Sequence, residues 1–82
     1  MTVRFPSMFH GKTGHQVIVS EPVTSIPGLL AVLEVRFPGL SADLADPIYN
    51  FAVNDEMLLH GVNAHPLRDG DVVEIVPTIS GG

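Results

Sequence analysis

The residues best suited to chemistry stand at the end of the sequence, which reads Thr78-Ile79-Ser80-Gly81-Gly82. A terminal carboxylate has a reference pKa of about 3.5, so it is ionised at neutral pH and able to attack the α-phosphate of ATP. Because glycine has no Cβ, such an end fits a narrow channel, and six extended residues reach at most about 20 Å. We therefore expect an acyl-adenylate to form at Gly82 in the active site of another protein, with Ile79, Ser80 and Gly81 giving access.

Two terminal glycines are a weak signal when taken alone, because chain ends are also commonly frayed. At an average glycine usage of about 7%, such a pair arises by chance in roughly 0.5% of chains. The interpretation as a reactive end therefore depends on whether a folded strand leads directly into the tail.

Other residues that could do chemistry are better explained as surface or turn residues. Asp69 and Asp71 flank Gly70 as a turn requires, so we assign them to a turn and not to general acid–base catalysis. The histidines form two pairs with a spacing of five, which does not align metal ligands on one helical turn: His10, His15, His60 and His65. We expect no metal site.

Composition limits the classes of function. The 82 residues are 45% hydrophobic, which suits one compact domain that is too small to enclose a large active site. Nine acidic residues against four scattered basic ones give a net charge of -5, which argues against nucleic acid and membrane partners. Because there is no cysteine, signal peptide or long apolar run, we expect a cytoplasmic protein stabilised by its core.

Hydrophobic periodicity predicts the elements that position the tail. Alternation predicts strands at 2–6, 15–20, 49–54 and 72–79, and a short edge strand plus loop between 55 and 66. A glycine-bearing loop at 10–14 is predicted to join the first two strands. Ser41 is expected to cap a short turn, and Gly70 is expected to take a positive φ in another turn. One main helix is predicted to begin at Thr24 or Ser25 and to end at Pro38-Gly39, with an apolar stripe of Ile26, Leu29, Leu30, Leu33 and Phe37.

This order of elements predicts an α+β fold. The helix is the only connection long enough for a parallel crossover, so we expect a mixed four- to five-stranded sheet wrapped around one main helix, the β-grasp arrangement of ubiquitin. Residues 1–78 would form this domain and residues 79–82 a flexible tail. The helix would cover Val3, Phe5, Val17, Val19, Phe51, Val53, Val73 and Ile75. The opposite face would show Arg4, Ile18, Val72, Glu74 and Val76.

Several segments resemble the ubiquitin-like sulfur carriers of bacteria and archaea. They are Asn54-Asp55-Glu56, the turn Leu67-Arg68-Asp69-Gly70-Asp71, the strand at 72–77, the helix end at 33–40 and the final Ser80-Gly81-Gly82. The resemblance spans nearly the whole chain and is most specific in the last sixteen residues, from Leu67. That family includes the small subunit of molybdopterin synthase, the thiamine thiazole sulfur carrier and the thiocarboxylate carrier of an alternative cysteine biosynthesis route.

The resemblance implies a carrier and not an enzyme. A ubiquitin-activating-type enzyme would adenylate the carboxylate of Gly82, and sulfide from a persulfide or another donor would displace AMP to leave a thiocarboxylate. A biosynthetic partner enzyme would then accept the sulfur. The carrier itself would bind no cofactor, since ATP is used by the activating partner. The residues expected to dock these partners are Val72, Glu74, Val76, Arg4 and Ile18, together with Ile79.

Alternatives remain open at the level of the sequence. The segments Phe5-Pro6-Ser7-Met8-Phe9 and Thr13-Gly14 look more like the cysteine-pathway carrier, and the Arg-Glu pair usual in the first loop of the molybdopterin synthase subunit is missing. A cysteine-type pathway is thus slightly favoured, then molybdopterin, then other thio-metabolites. A ubiquitin-like modifier joined through Gly82 and a plain β-grasp binding module are the other two functions. Finally, Val72 and Val76 could be ordinary surface residues covered by the stems of Arg4 and Lys12.

Overall fold

Five strands form one mixed sheet in the computed structural model of the protein, which describes residues 1–78. The strands are β1 (Thr2–Arg4), β2 (Gln16–Ile18), β3 (Tyr49–Val53), β4 (Glu56–Leu58) and β5 (Val72–Pro77). The helices are α1 (His10–Thr13), α2 (Ile26–Arg36) and α3 (Leu40–Leu44), with 3-10 turns at Ser7–Phe9 and Val62–Ala64. The predicted element order is confirmed, and the short edge strand brings the number of strands to five.

The last strand occupies the middle of the sheet, whose order is β2-β1-β5-β3-β4. β1 pairs in parallel with β5, and the remaining pairs are antiparallel. A parallel pair requires a crossover, and α2 supplies it by packing across one face of the sheet. The arrangement is the predicted β-grasp fold, in which the C-terminal strand is held on both sides.

The main helix α2 begins where a serine caps it. The Ser25 Oγ accepts a hydrogen bond from the Gly28 N–H at 3.2 Å, and Pro27 sits in the first turn, where a missing N–H costs nothing. Ile26, Leu29 and Leu33 are each 1% exposed or less. Burying side chains of this size contributes about 1.5–3 kcal/mol each, so this stripe anchors the helix to the sheet.

The predicted inner face of the sheet is also confirmed. All eight residues expected under the helix are at most 9% exposed: Val3, Phe5, Val17, Val19, Phe51, Val53, Val73 and Ile75. Phe9, Leu40, Leu44, Leu58 and Leu67 close the edges of the same core. Leu30 and Phe37 of the predicted helical stripe are only partly buried and pack against its border.

Two local predictions are wrong. The loop expected at 10–14 is instead the single helical turn α1, which directly follows the 3-10 turn at Ser7–Phe9, because buried Phe9 holds this segment against the core. Ser41 does not cap α3, since that helix begins after Gly39, which takes a φ of 95°. The carboxylate of Glu34 serves instead, accepting hydrogen bonds from the N–H of Gly39 at 2.7 Å and of Ser41 at 2.9 Å.

Candidate functional site at the end of β5

The chain leaves the sheet at Thr78, the last residue that the structure describes. Its N–H donates to the Ile48 carbonyl at 2.5 Å, and its hydroxyl accepts a hydrogen bond from the Asn50 amide. Pro77 lies opposite Tyr49 in the register of β3 and β5. We call Pro77, Thr78 and their partners Ile48, Tyr49 and Asn50 the tail root. The predicted site residues Ile79, Ser80, Gly81 and Gly82 lie outside the described residues.

The opposite end of β5 is set by a turn, as predicted. Gly70 takes a φ of 86°, and the Asp71 carboxylate accepts hydrogen bonds from the Arg68 N–H at 2.8 Å and the Asn54 side-chain amide at 3.0 Å. These bonds lower the pKa of Asp71, because they favour the charged carboxylate. The turn thus fixes the register of β5 against its neighbouring strands. That register in turn determines where the C-terminal end of β5 leaves the sheet.

Five of the six predicted docking residues, all except Ile79, share the face of the sheet that α2 does not cover, which we call the open face. Arg4 lies opposite Glu74 in the parallel register, and Thr2 lies between Ile18 and Val72. Val76 lies opposite Asn50 on β3. Ile18 is 55% exposed, whereas Val72, Glu74 and Val76 are half-buried. The structure therefore places these residues together, and their role in docking stays a prediction.

Further residues of the open face were not assigned from the sequence. Ala52 lies between Glu74 and Met57 in the register, which continues the row that contains Arg4 and begins at Gln16 on β2. Ala52 is 6% exposed although it faces away from α2, while Met57 is 38% exposed. The alternation of Asn50 and Ala52 with the inward-facing Phe51 indicates that Asn50 and Ala52 face outward. The partner strand β4 is too short for the same pattern to show which way Met57 faces.

The proposed cover of Val72 and Val76 by lysine is wrong. The Lys12 Nζ donates to the Pro38 carbonyl at 3.1 Å and lies 3.7 Å from the Asp43 carboxylate. These contacts hold the ammonium beside α3, because α1 turns the side chain toward that helix. Of the two stems considered, only that of Arg4 belongs to the open face.

Metal ligands are not assembled within residues 1–78, which contain no group of three or more histidine, aspartate or glutamate side chains able to hold an ion. The rings of His10 and His15 are tilted at 48° with centroids 4.0 Å apart, and one His10 ring nitrogen is 2.8 Å from the Phe5 carbonyl. This pair therefore serves the β1–β2 connection. Over the same residues, no helix is long and apolar enough to cross a bilayer.

The fold and the position of the tail root agree with a known family. The ThiS family profile matches residues 3–82, which takes in all of the sheet except Thr2 and includes the final Gly81-Gly82. The chain belongs to the ThiS family. Among its curated relatives, the sulfur carrier protein CysO of Mycobacterium bovis is 33% identical over 91 residues, covering 100% of this chain and 98% of the relative. CysO of Mycobacterium tuberculosis shows the same identity and coverage.

Solved structures of ThiS-like carriers show the same architecture. The crystal structure of the Amycolatopsis orientalis BexX/CysO complex matches with a TM-score of 0.81 and 27% identity, covering 99% of this chain and 98% of that one. The crystal structure of Mycobacterium tuberculosis CysO, described as an antigen, matches with a TM-score of 0.80 and 31% identity over 95% and 98% of the two chains. The β-grasp fold predicted from the sequence is therefore that of CysO.

Proposed function

We propose that this protein is a sulfur carrier that holds its cargo as a thiocarboxylate on Gly82. It is a carrier and not a catalyst, as the ThiS family match and the CysO relatives indicate. The single observation that carries the proposal is that the family match continues through β5 to residue 82. The described part adds that β5 pairs with β1 over residues 72–74 and with β3 as far as Pro77, and only three residues lie between Thr78 and Gly82.

The chemistry requires two displacement steps on one carboxyl group. A carboxylate oxygen of Gly82 attacks the α-phosphate of ATP, and pyrophosphate leaves to give the acyl-adenylate. A sulfide sulfur then attacks the carbonyl carbon, and AMP leaves with the bonding electrons to give the thiocarboxylate. Both steps take place in an activating enzyme of the ubiquitin-activating type, so the carrier supplies the substrate group and needs no cofactor of its own.

The length of the tail limits how far the body of the carrier can lie from the active site of its partner. Four extended residues span at most about 13–14 Å beyond Thr78, so the body of the carrier must dock closely against its partner. The open face includes the outward side chains along the whole length of β5. It also carries the exposed apolar side chain of Ile18, close to the oppositely charged Arg4 and Glu74, which are opposite each other in the register. We assign the docking of the activating enzyme and of the sulfur acceptor to this face, in the cytoplasm.

The acceptor is a biosynthetic enzyme, and the CysO relatives favour a cysteine-type pathway. In the Amycolatopsis orientalis structure a CysO chain is in complex with BexX. A carrier with this fold therefore has a precedent for binding a protein partner. Molybdopterin and other thio-metabolites are the products to test next.

Intact mass spectrometry tests the proposed function. After incubation with the activating enzyme of the same host, ATP and a sulfide source, the protein should gain the mass difference between one sulfur and one oxygen atom. A variant without Gly82 should not gain it. Gly11→Ala is a matched control, because a Cβ at Gly11 meets nothing within 4 Å, and this variant should react like the wild type. A wild-type protein that stays a carboxylate, or one that forms isopeptide adducts instead, would contradict the proposal.

A further inference from the structure

An open cleft of about 320 Å³ lies at the end of the sheet where the chain leaves it. The 3-10 turn before α1 forms one wall, α3 and the residues after it form the other, and β3 forms the base. Its lining residues are Met8, Phe9, Ala42, Asp43, Asp46 and Tyr49. We call this the tail-side cleft.

The tail-side cleft is continuous with the tail root. Tyr49 at its base lies opposite Pro77, and the neighbouring Ile48 carbonyl accepts the Thr78 N–H. Ile48 also donates its own N–H to the Asp46 carboxylate at 3.0 Å, so one short segment carries both the rim of the cleft and the last bond of β5. A protein that draws in the tail at Thr78 must therefore lie against this cleft.

The base of the tail-side cleft is aromatic and firmly held. The rings of Phe9 and Tyr49 are tilted at 56° with centroids 5.3 Å apart, and Phe9 is 7% exposed. The Tyr49 hydroxyl donates to the Met8 sulfur at 2.9 Å, while the Met8 side chain stays 58% exposed. These groups offer polarizable apolar surface to a side chain that enters from solvent.

The rim of the tail-side cleft carries an excess of negative charge. The Asp46 N–H bonds to the Asp43 carbonyl at 3.4 Å, so the two aspartates stand one turn apart and face the same opening. Lys12 lies 3.7 Å from Asp43, whereas no ion pair to Asp46 occurs among residues 1–78. Two carboxylates against one ammonium leave one negative charge at the mouth.

Aromatic base and acidic rim together match one kind of side chain. We infer that the tail-side cleft receives an arginine side chain of the enzyme that activates the tail. The guanidinium stacks on an aromatic face and binds a carboxylate through two N–H groups, and its aliphatic stem lies against apolar surface. The cleft would thus orient the carrier on the enzyme, in addition to the contacts of the open face.

This inference rests on the proposed function, and kinetics of adenylation separate the two. The assay measures pyrophosphate exchange by the activating enzyme as a function of carrier concentration. Asp46→Asn removes the charge but retains a carbonyl oxygen for the Ile48 N–H, so the fold is preserved. We expect its KM for the carrier to rise at least tenfold with kcat unchanged. The wild-type KM should also rise more steeply with salt than that of the variant.

Two matched controls make the result specific. Asp55→Asn makes the same charge change in the β3–β4 turn, outside the cleft, and should leave KM unchanged. Ala42→Leu fills the cleft without a charge change and should raise KM, whereas Ala45→Leu, on the next turn and outside the lining, should not. If Asp46→Asn behaves like Asp55→Asn while the wild type is adenylated, the inference is wrong and the proposed function stands. If the wild type is not adenylated at all, the proposed function fails.

The identity of the occupant is tested by double-mutant cycles. Each surface arginine around the adenylation site of the enzyme is changed to lysine and combined with Asp46→Asn. For one arginine, the change to lysine should raise KM much less with the Asp46→Asn carrier than with the wild-type carrier, because the two changes remove the same contact. If every arginine acts additively with Asp46→Asn, or if wild-type carrier self-associates through the cleft in sedimentation experiments, the arginine assignment is overturned.

Discussion

At the scale of single residues, Glu34 is the side chain whose role is most sharply defined. It joins α2 to α3 by accepting hydrogen bonds from the N–H of Gly39, the N–H of Ser41 and, at 2.7 Å, the Ser41 hydroxyl. These bonds lower the pKa of Glu34 from 4.5 to about 2, because they all favour the ionised form. A carboxylate on one helix thereby replaces the local cap that α3 lacks.

Acid titration should reveal this bond network. Because the folded pKa of Glu34 is depressed, its contribution to stability is complete above pH 4.5 and is lost as pH falls toward about 2. Glu34→Gln should lower the Tm at neutral pH, and its Tm should fall less than that of the wild type between pH 4.5 and 2. Circular dichroism melts across this range measure both effects.

Glu21→Gln is the matched control for Glu34. Glu21 pairs with Arg36 at 2.8 Å on the surface, where both side chains are at least 34% exposed, and surface pairs contribute little to stability. The Tm of this variant should follow that of the wild type at every pH. Parallel curves for wild type and Glu34→Gln would show that Glu34 does not hold α3.

At the scale of elements, the turn between β3 and β4 sets the edge of the sheet. Asn54 and Asp55 both take left-handed backbone angles, with φ of 50° and 70°. Such angles suit a tight hairpin, and asparagine tolerates them better than most residues. The Asn54 side chain also accepts the Val72 N–H at 2.9 Å and donates to Asp71, so this turn and the turn before β5 support each other.

Two substitutions at Asn54 separate backbone angle from hydrogen bonding. Asn54→Ala should lower the free energy of unfolding by about 2–3 kcal/mol, because it removes two hydrogen bonds and because alanine tolerates the left-handed region less well than asparagine does. The free energy of unfolding of Asn54→Gly should fall by about 1 kcal/mol less than that of Asn54→Ala, since glycine adopts this backbone angle freely. Urea denaturation measures both values. Equal destabilisation would mean that the backbone angle contributes nothing.

At the scale of the whole molecule, the carrier presents two different sides. On one side, the open face exposes Ile18 beside the row formed by Arg4 and Glu74. On the other, α2 exposes Val35, which is 83% accessible. Both sides carry an exposed aliphatic residue, but only the open face is formed in part by outward side chains of β5, from which the tail leaves.

This asymmetry predicts which surface the partners bind. Ile18→Asp should raise the KM for the carrier at least tenfold, about 1.4 kcal/mol, because it removes apolar contact and buries a charge at the interface. Val35→Asp introduces the same residue on the helix side and should leave KM unchanged. Adenylation kinetics provide the measurement, with thermal melts to verify that both variants fold. A larger effect at Val35 would place the docking surface on α2.

Alternation and the helical period depend only on local geometry, so the sequence was sufficient to predict which residues point inward and which point outward. Val3, Val73 and Ile75 are buried and Gly70 has its positive φ, as predicted, whereas the chemistry of Gly81-Gly82 stays a prediction. The same periodicity placed Arg4, Glu74 and Val76 on one face without any knowledge of strand order.

Contacts between groups from distant segments could not be predicted from the sequence and are seen only in the folded protein. Glu34 caps α3 in place of Ser41, Lys12 turns to α3 and not to the open face, and Asp46 shares a cleft with Met8. Each of these contacts joins residues on separate elements, so its distance depends on how the sheet and helices pack. Local patterns carry no information about such distances, which is why the cleft beside the tail root became visible only in the folded protein.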